Sequence, residues 1–282
     1  MGEARAGLVS AAGLVERLRQ DPSGTRVIDL RPDPADGRPG IPGAAWADLH
    51  DGFAQRRPER NLAYDLPRPE EFAAALSKLG IVPDTDVVLA DDMGNRWATR
   101  VYWLLRYFGH RGDVAVLDGG ITAYLASGGP TDSFAFPSPR SYPVPTGTDE
   151  TIRITADELL AAAGRGELVV CDVRDPREFT GEVAMSGRGG HIPGAVNVPW
   201  DRCLAADGTF LPDVDLRVVL APYLDAAGTP VTYCQGGIRA SLTWFSLDVV
   251  LGRPARLYAA SWEEWAQRND LPTEVENDEG VR

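Results

Sequence analysis

The chain has 282 residues, 44% of them hydrophobic and 24% charged, which is enough for one large domain or two modest ones with real cores. Its formal charge of −13 at pH 7 opposes attraction to nucleic-acid phosphates or anionic lipid, so small molecules are the expected partners. No apolar run approaches the ~20 residues of a membrane helix, and the opening MGEARAGLVSAAGLVERL lacks the basic-then-apolar layout of a signal peptide, so a cytoplasmic location is expected.

In the first half, short apolar runs suited to buried strands (RVIDL at 26–30, DVVLAD at 86–91, VAVLD at 114–118) alternate with helix-patterned stretches. PEEFAAALSKLG at 69–80 carries apolar residues at helical spacing and stops on a glycine. Residues 127–150 are rich in proline and show no apolar periodicity, which predicts an extended surface connection. The second half repeats the alternation, with a helix pattern in ADELLAAAGRG at 156–166 and strand patterns in LVVCDV at 168–173, PVTYC at 230–234 and ARLYA at 255–259.

The two halves share more than a pattern. A shift of 143 lays Asp29 on Asp172, Arg31 on Arg174, Asp91 on Cys234, Gly94 on Gly237 and Arg96 on Arg239. GIPGAA at 40–45 is answered by HIPGAV at 191–196, with intervening loops of unequal length, as in a domain duplication. The expected organisation is one domain at 1–126, a linker at 127–150 and a second domain at 151–282. Alternating strands and helices predict an α/β fold in each, a parallel sheet with helices on both faces, and ligands at the carboxyl ends of the strands.

Cys234 stands at such an end. The segment CQGGIR joins the strand PVTY to the helix-patterned ASLTWFSLDVVLG, and Gly236 and Gly237 keep side chains out of the turn. Inward-pointing amides of Gln235, Gly236, Gly237, Ile238 and Arg239, together with the start of a helix, favour negative charge at the centre. A thiol held there would lose its proton more readily, and the amides would stabilise a persulfide on it. Cys171, inside an apolar run, and Cys203, in PWDRCLAADG, have no such turn and read as structural. An odd count of cysteines predicts no disulfide framework. With no CxxC or HxxxH pair, and only His50, His110 and His191 to assist, no metal site is expected. The absence of GxGxxG leaves no nucleotide or flavin cofactor to propose, and Trp244, Phe245, Trp262 and Trp265 read as core.

CQGGIRAS, with DVRDPREF, GGHIPGAVNVP and the late LYAASWEEW, resembles the rhodanese sulfurtransferases over essentially the whole chain. The resemblance implies a tandem of an inactive amino-terminal domain and a catalytic carboxyl-terminal one. It further implies transfer of sulfane sulfur from a small anionic donor, through a persulfide on Cys234, to cyanide or a thiol. In the first half the matching stretch is DDMGNR, where Asp91 cannot carry transferable sulfur. By the same resemblance that loop, with Arg96 and Trp97, faces the cleft over Cys234.

The chain departs from the family in its donor-binding signatures. The mercaptopyruvate enzymes carry serine two places after the cysteine and the thiosulfate enzymes lysine, whereas Gly236 stands here. Where an arginine is usual four residues after that of DVR, the chain has Glu178, and Tyr64 is the nearest match to a first-domain histidine. Arg239, Arg174, Arg177, Arg188 and Arg96 remain as candidate anion contacts, Arg174 also being suited to pairing with nearby carboxylates. His191 reads as structural. Thiosulfate is the favoured donor, since a small dianion suits scattered arginines, with 3-mercaptopyruvate the alternative. A rhodanese-like phosphatase would need five residues between cysteine and arginine, and Cys234 and Arg239 have four between them. A sulfide-binding module without turnover is the rival outside the enzymes.

Overall fold

Two parallel sheets organise the chain, built from the apolar runs that alternate with helices in the sequence. The computed structural model describes residues 5–21, 24–33, 39–162 and 164–275.

The first sheet runs β1 (Leu8–Val9), β2 (Thr25–Asp29), β3 (Ala45–Trp46), β6 (Asp86–Ala90) and β7 (Val114–Leu117), in the order β1-β7-β6-β2-β3. Between β3 and β6 the short strands β4 (Gln55–Arg57) and β5 (Leu62–Asp65) pair with each other alone. The helices are α1 (Ala11–Gln20), α2 (Pro69–Lys78), α3 (Arg96–Tyr107) and α4 (Gly120–Ala126). Ser10 starts α1 by accepting the Gly13 amide at 3.1 Å, and Pro69 opens α2, where its missing N–H costs nothing. Val27, Val88, Ala90 and Leu117 from the strands meet Leu14, Ile121 and Tyr124 from the helices in one buried cluster. The proline-rich stretch is tied down to this unit: Asp132 bridges Gly40, Ala135 bridges Ala45, and Tyr142 packs edge-on against Phe72.

The second sheet runs β11-β10-β8-β9, from β8 (Leu168–Asp172), β9 (Val196–Asn197), β10 (Thr229–Tyr233) and β11 (Arg256–Leu257). Its helices are α5 (Ala156–Ala162), α6 (Pro176–Thr180), α7 (Asp213–Val219), α8 (Ala221–Leu224), α9 (Ile238–Phe245) and α10 (Ser261–Trp265). β10 pairs with β8 from Thr229↔Leu168 to Tyr233↔Asp172, so both strands end side by side just before Cys234. Trp244, Phe245, Trp262 and Trp265 are fully buried, as the sequence reading had it. Among the described residues no helix is long and apolar enough to cross a membrane.

Chain contacts divide the molecule into two units that each hold one segment from the other half of the sequence. The first comprises the chain up to Gln55, Leu66–Asp149 and Leu204–Leu211; the second comprises Arg56–Asp65, Glu150–Cys203 and the chain from Pro212. Within the first unit, Arg5 donates to the Leu211 carbonyl at 2.8 Å and Phe210 donates to Asp118 at 2.8 Å. The duplication is visible in detail. Arg31 grips Asp29 at 2.6 Å and Arg174 grips Asp172 at 2.6 Å, both pairs almost wholly buried.

Candidate active site

Cys234 follows β10 directly and is 1% exposed. Its carbonyl accepts the Trp262 amide at 3.0 Å and the next carbonyl, of Gln235, accepts the Glu263 amide at 2.8 Å. The Cys234 amide donates at 3.1 Å to Ser261 Oγ, which passes its own hydrogen to the Tyr258 carbonyl at 2.8 Å. Ser261 achieves this with φ +59, a left-handed conformation that is costly for a residue with a side chain. The start of α10 is therefore a clamp on the cysteine loop. Gln235 Nε2 donates to Ser186 Oγ and pins the loop from another side.

Gly237 has φ +80, and a Cβ there would lie 2.1 Å from the Ala259 carbonyl oxygen. No other residue fits at that point in the turn. Gly237 is also the residue that precedes the first turn of α9, so the turn and the helix start coincide.

The matching loop of the first unit shows what such a turn holds. Asp91, fully buried, accepts four amide hydrogens: Met93 and Asn95 on Oδ1, both at 2.9 Å, and Trp97 and Ala98 on Oδ2, at 2.8 and 2.9 Å. Burial, the largest influence, raises the carboxyl above its ordinary pKa, and the four amides oppose it. By the shift of 143, Met93, Asn95 and Trp97 correspond to Gly236, Ile238 and Ala240. Among the described residues no oxygen takes the amide hydrogens of Gly236 and Ile238. The fourth counterpart differs, since the Ser241 amide turns to the Gly237 carbonyl at 3.3 Å.

Arg239 lies within reach of Cys234. Burial lowers its pKa most, but a two-pronged bond to Glu178 and the nearby sulfur outweigh that, and the guanidinium stands above its ordinary value. Glu178, 6% exposed, is the third residue of α6 and closes a capping box with Asp175. The sequence position where the family's arginine is missing thus bears the carboxylate that pairs with the loop's own arginine.

The other candidate arginines fare differently. Arg174, read as a candidate anion contact that is also suited to pairing with nearby carboxylates, is buried against Asp172, donates to the Gly190 carbonyl at 2.8 Å and lies 4.6 Å from the Trp262 ring centre. Arg188 donates to the carbonyls of Ala266, Leu271, Trp265 and Arg268 around the end of α10. Arg177 is exposed and pairs with Glu182 at 2.9 Å. Arg96 opens α3 in the first unit. His191 is buried, stacks on Phe179 at 3.8 Å and bonds its carbonyl at 2.8 Å, a structural role.

The remaining thiols are sealed. Burial pushes the Cys171 thiol well above its ordinary value and raises Cys203 to about 12. Neither supplies a thiolate near neutral pH.

Comparison with known proteins shows the family. The model of the rhodanese-like domain matches twice, at residues 10–127 and 155–268. The chain belongs to the rhodanese family. It is 35% identical to the sulfur carrier protein TtuD of Thermus thermophilus, over 96% of this chain and 98% of that protein. It is 36% identical to a thiosulfate sulfurtransferase of Corynebacterium glutamicum, over 95% of this chain and 90% of that one. Among solved structures, the rhodanese fold recurs in the Tum1 protein of Saccharomyces cerevisiae, with a TM-score of 0.81 at 22% identity, covering 96% of this chain and 98% of that one. SseA of Escherichia coli, described with the 3-mercaptopyruvate sulfotransferases, gives 0.76 at 24% identity, covering 91% and 99%.

Sequence reading alone placed Cys234 on a strand-to-helix turn but did not reach Ser261, Glu263 or the pairing of Arg239 with Glu178. SWEEW was visible as a motif, yet nothing in it announces a left-handed serine.

Proposed function

We propose that this sulfurtransferase carries sulfane sulfur on Cys234, taking it from thiosulfate and passing it to a thiophilic acceptor such as cyanide or a thiol. The Cys234 thiolate attacks the outer sulfur of thiosulfate. A new S–S bond forms, the donor's S–S bond breaks, and sulfite leaves with the electron pair. In the second half-reaction the acceptor attacks the outer sulfur of the persulfide and the Cys234 thiolate departs. No cofactor is required, because each step exchanges one nucleophile at sulfur for another.

The observation that carries this reading is the Asp91 loop. A turn of the same build gives four amide hydrogens to the two oxygens of a buried carboxyl group, and Cys234 occupies the matching place in the second unit. A persulfide anion there has the Gly236 and Ile238 amides to receive it. Thiosulfate is favoured over 3-mercaptopyruvate because the latter must break a C–S bond and have the leaving carbon protonated. Gly236 offers no hydroxyl for that step.

Incubation with thiosulfate should add one sulfur, about 32 mass units, to the peptide containing Cys234, and cyanide should remove it. Cys234→Ser should abolish transfer, whereas Cys171→Ser and Cys203→Ser should retain it. Sulfur found on Cys171 or Cys203, or full transfer by Cys234→Ser, would overturn the proposal. A binding module without turnover would release no sulfite from thiosulfate and form no thiocyanate with cyanide.

A further inference from the structure

The segment 56–65, though it comes from the first half of the sequence, belongs to the second unit. It is held down at several points. Glu263 Oε2 accepts the Ala63 amide at 2.9 Å, Asn61 and Gln267 exchange bonds at 3.2 and 3.1 Å, and Arg60 reaches Glu264 at 3.2 Å. Glu263 is the same residue whose amide is bound to the Gln235 carbonyl of the cysteine loop. One residue thereby fixes the segment and the loop in common register.

That register sets Tyr64 on Gly236. A Cβ added at Gly236 would lie 2.9 Å from Tyr64 Cδ2, closer than packed carbons come, and 3.3 Å from Tyr64 Cβ, a tight contact. The tyrosine therefore takes the space that a side chain two places after Cys234 would need. Glycine at 236 and the aromatic ring at 64 are a complementary pair, with the Glu263 carboxylate next nearest, 3.5 Å from the same Cβ position.

We propose that Tyr64 is a specificity-determining residue: its ring walls the cysteine loop at Gly236 and restricts the site to sulfane donors with compact leaving groups. This rests on the assignment of Cys234 as the sulfur acceptor. Donors in which sulfite or a small sulfinate leaves fit beside the ring; those with an aryl group on the leaving side meet it. The backbone that carries Tyr64 is anchored through Glu263, which holds the base of the ring over Gly236.

Two donors of equal charge isolate the effect, methanethiosulfonate and benzenethiosulfonate. Each transfers its outer sulfur to the thiolate and releases a sulfinate with the electron pair. The quantity read is the ratio of kcat/KM for the aryl donor to that for the methyl donor. Tyr64→Ala should raise it at least about tenfold, a change of roughly 1.4 kcal/mol in transition-state discrimination. Tyr64→Phe, which keeps the ring, should leave it within about twofold of the parent. Gly236→Ala should impair transfer from both donors in the parent and less so beside Tyr64→Ala, since the second change removes the clash. If Tyr64→Ala does not fold, Tyr64→Leu reads the same ratio. An unchanged ratio in a folded Tyr64→Ala or Tyr64→Leu protein that still loads sulfur on Cys234 overturns the proposal. If the parent loads no sulfur on Cys234 from either donor, the assignment of Cys234 falls, and this inference falls with it.

Discussion

Glu178 holds Arg239 by both terminal guanidinium nitrogens, Nη1 to Oε2 at 2.7 Å and Nη2 to Oε1 at 2.9 Å. The loop arginine is thus paired with its own carboxylate, and under the proposed function the attraction for a donor anion would fall mainly to the backbone amides. Removing the negative charge while keeping the shape should change that balance. Glu178→Gln is expected to lower KM for thiosulfate about threefold to tenfold, on the order of 1 kcal/mol for an interaction of this kind. It should also lower the melting temperature, because Arg239 loses the partner of a mostly buried pair. Steady-state kinetics with thiosulfate decide the first point; a KM that rises instead would make Glu178 chiefly a support for the position of Arg239.

The Asp91 loop makes a prediction about stability. Asparagine at 91 would keep one acceptor oxygen and turn an NH2 group toward two amide hydrogens, leaving buried donors unpaired. Asp91→Asn should cost about 2 to 4 kcal/mol in urea unfolding, with sulfur loading on Cys234 kept in the folded protein. A loss under about 0.5 kcal/mol would mean that the four amides find other partners.

Cys203 gives a pH dependence with a definite sign. Burial raises its thiol from 9.0 to about 12 in the folded chain. Between those values the unfolded chain has released a proton that the folded chain keeps, so stability falls as the pH rises. The contribution is complete below pH 9.0 and is lost progressively toward about 12, at no more than about 1.4 kcal/mol per pH unit. Cys203→Ala should remove this part of the alkaline slope in denaturation series from pH 8 upward. An identical slope would show that other groups account for it. Cys203 in the folded parent should resist alkylation at neutral pH until denaturant is added.

Loop size separates sulfur transfer from phosphate chemistry. Four residues lie between Cys234 and Arg239, and the turn is closed further by the contact of Gly237 with Ala259. Inserting a glycine between Gly237 and Ile238 should reduce sulfur transfer at least about tenfold, because the amides move off the sulfur. The parent should show no Cys234-dependent hydrolysis of aryl phosphates, and robust turnover of that kind would reverse the assignment.

Much of the fold was legible because its signals are local. The apolar runs that became β2, β6, β8 and β10 are bounded by turn residues, and the shift of 143 between the halves aligned the Asp–Arg pairs without any structure. The helix pattern after CQGGIR was also right in kind, although α9 ends at Phe245 and a π-helical turn, Ser246–Val250, completes the stretch. The arginines were less legible. A guanidinium has the same letter in the sequence whether it caps a helix end, as Arg188 does, or sits in a buried pair, as Arg174 does.

What the sequence determined by itself was the two-fold α/β architecture and the placing of Cys234 on a strand-to-helix turn, since strand period, glycine punctuation and cysteine position are properties of a few adjacent residues. Only the tertiary structure decided how that turn is held and what surrounds it. Ser261 reaches Cys234 across 27 positions, Glu178 reaches Arg239 across 61, and Glu263 holds Ala63 across 200. Such contacts depend on how distant elements pack, and no local rule of spacing or propensity contains that information. Tyr64 against Gly236 is the clearest case: each stands out in the sequence only as a separate departure from the family pattern, and their complementarity exists only once the segment 56–65 is packed in the second unit.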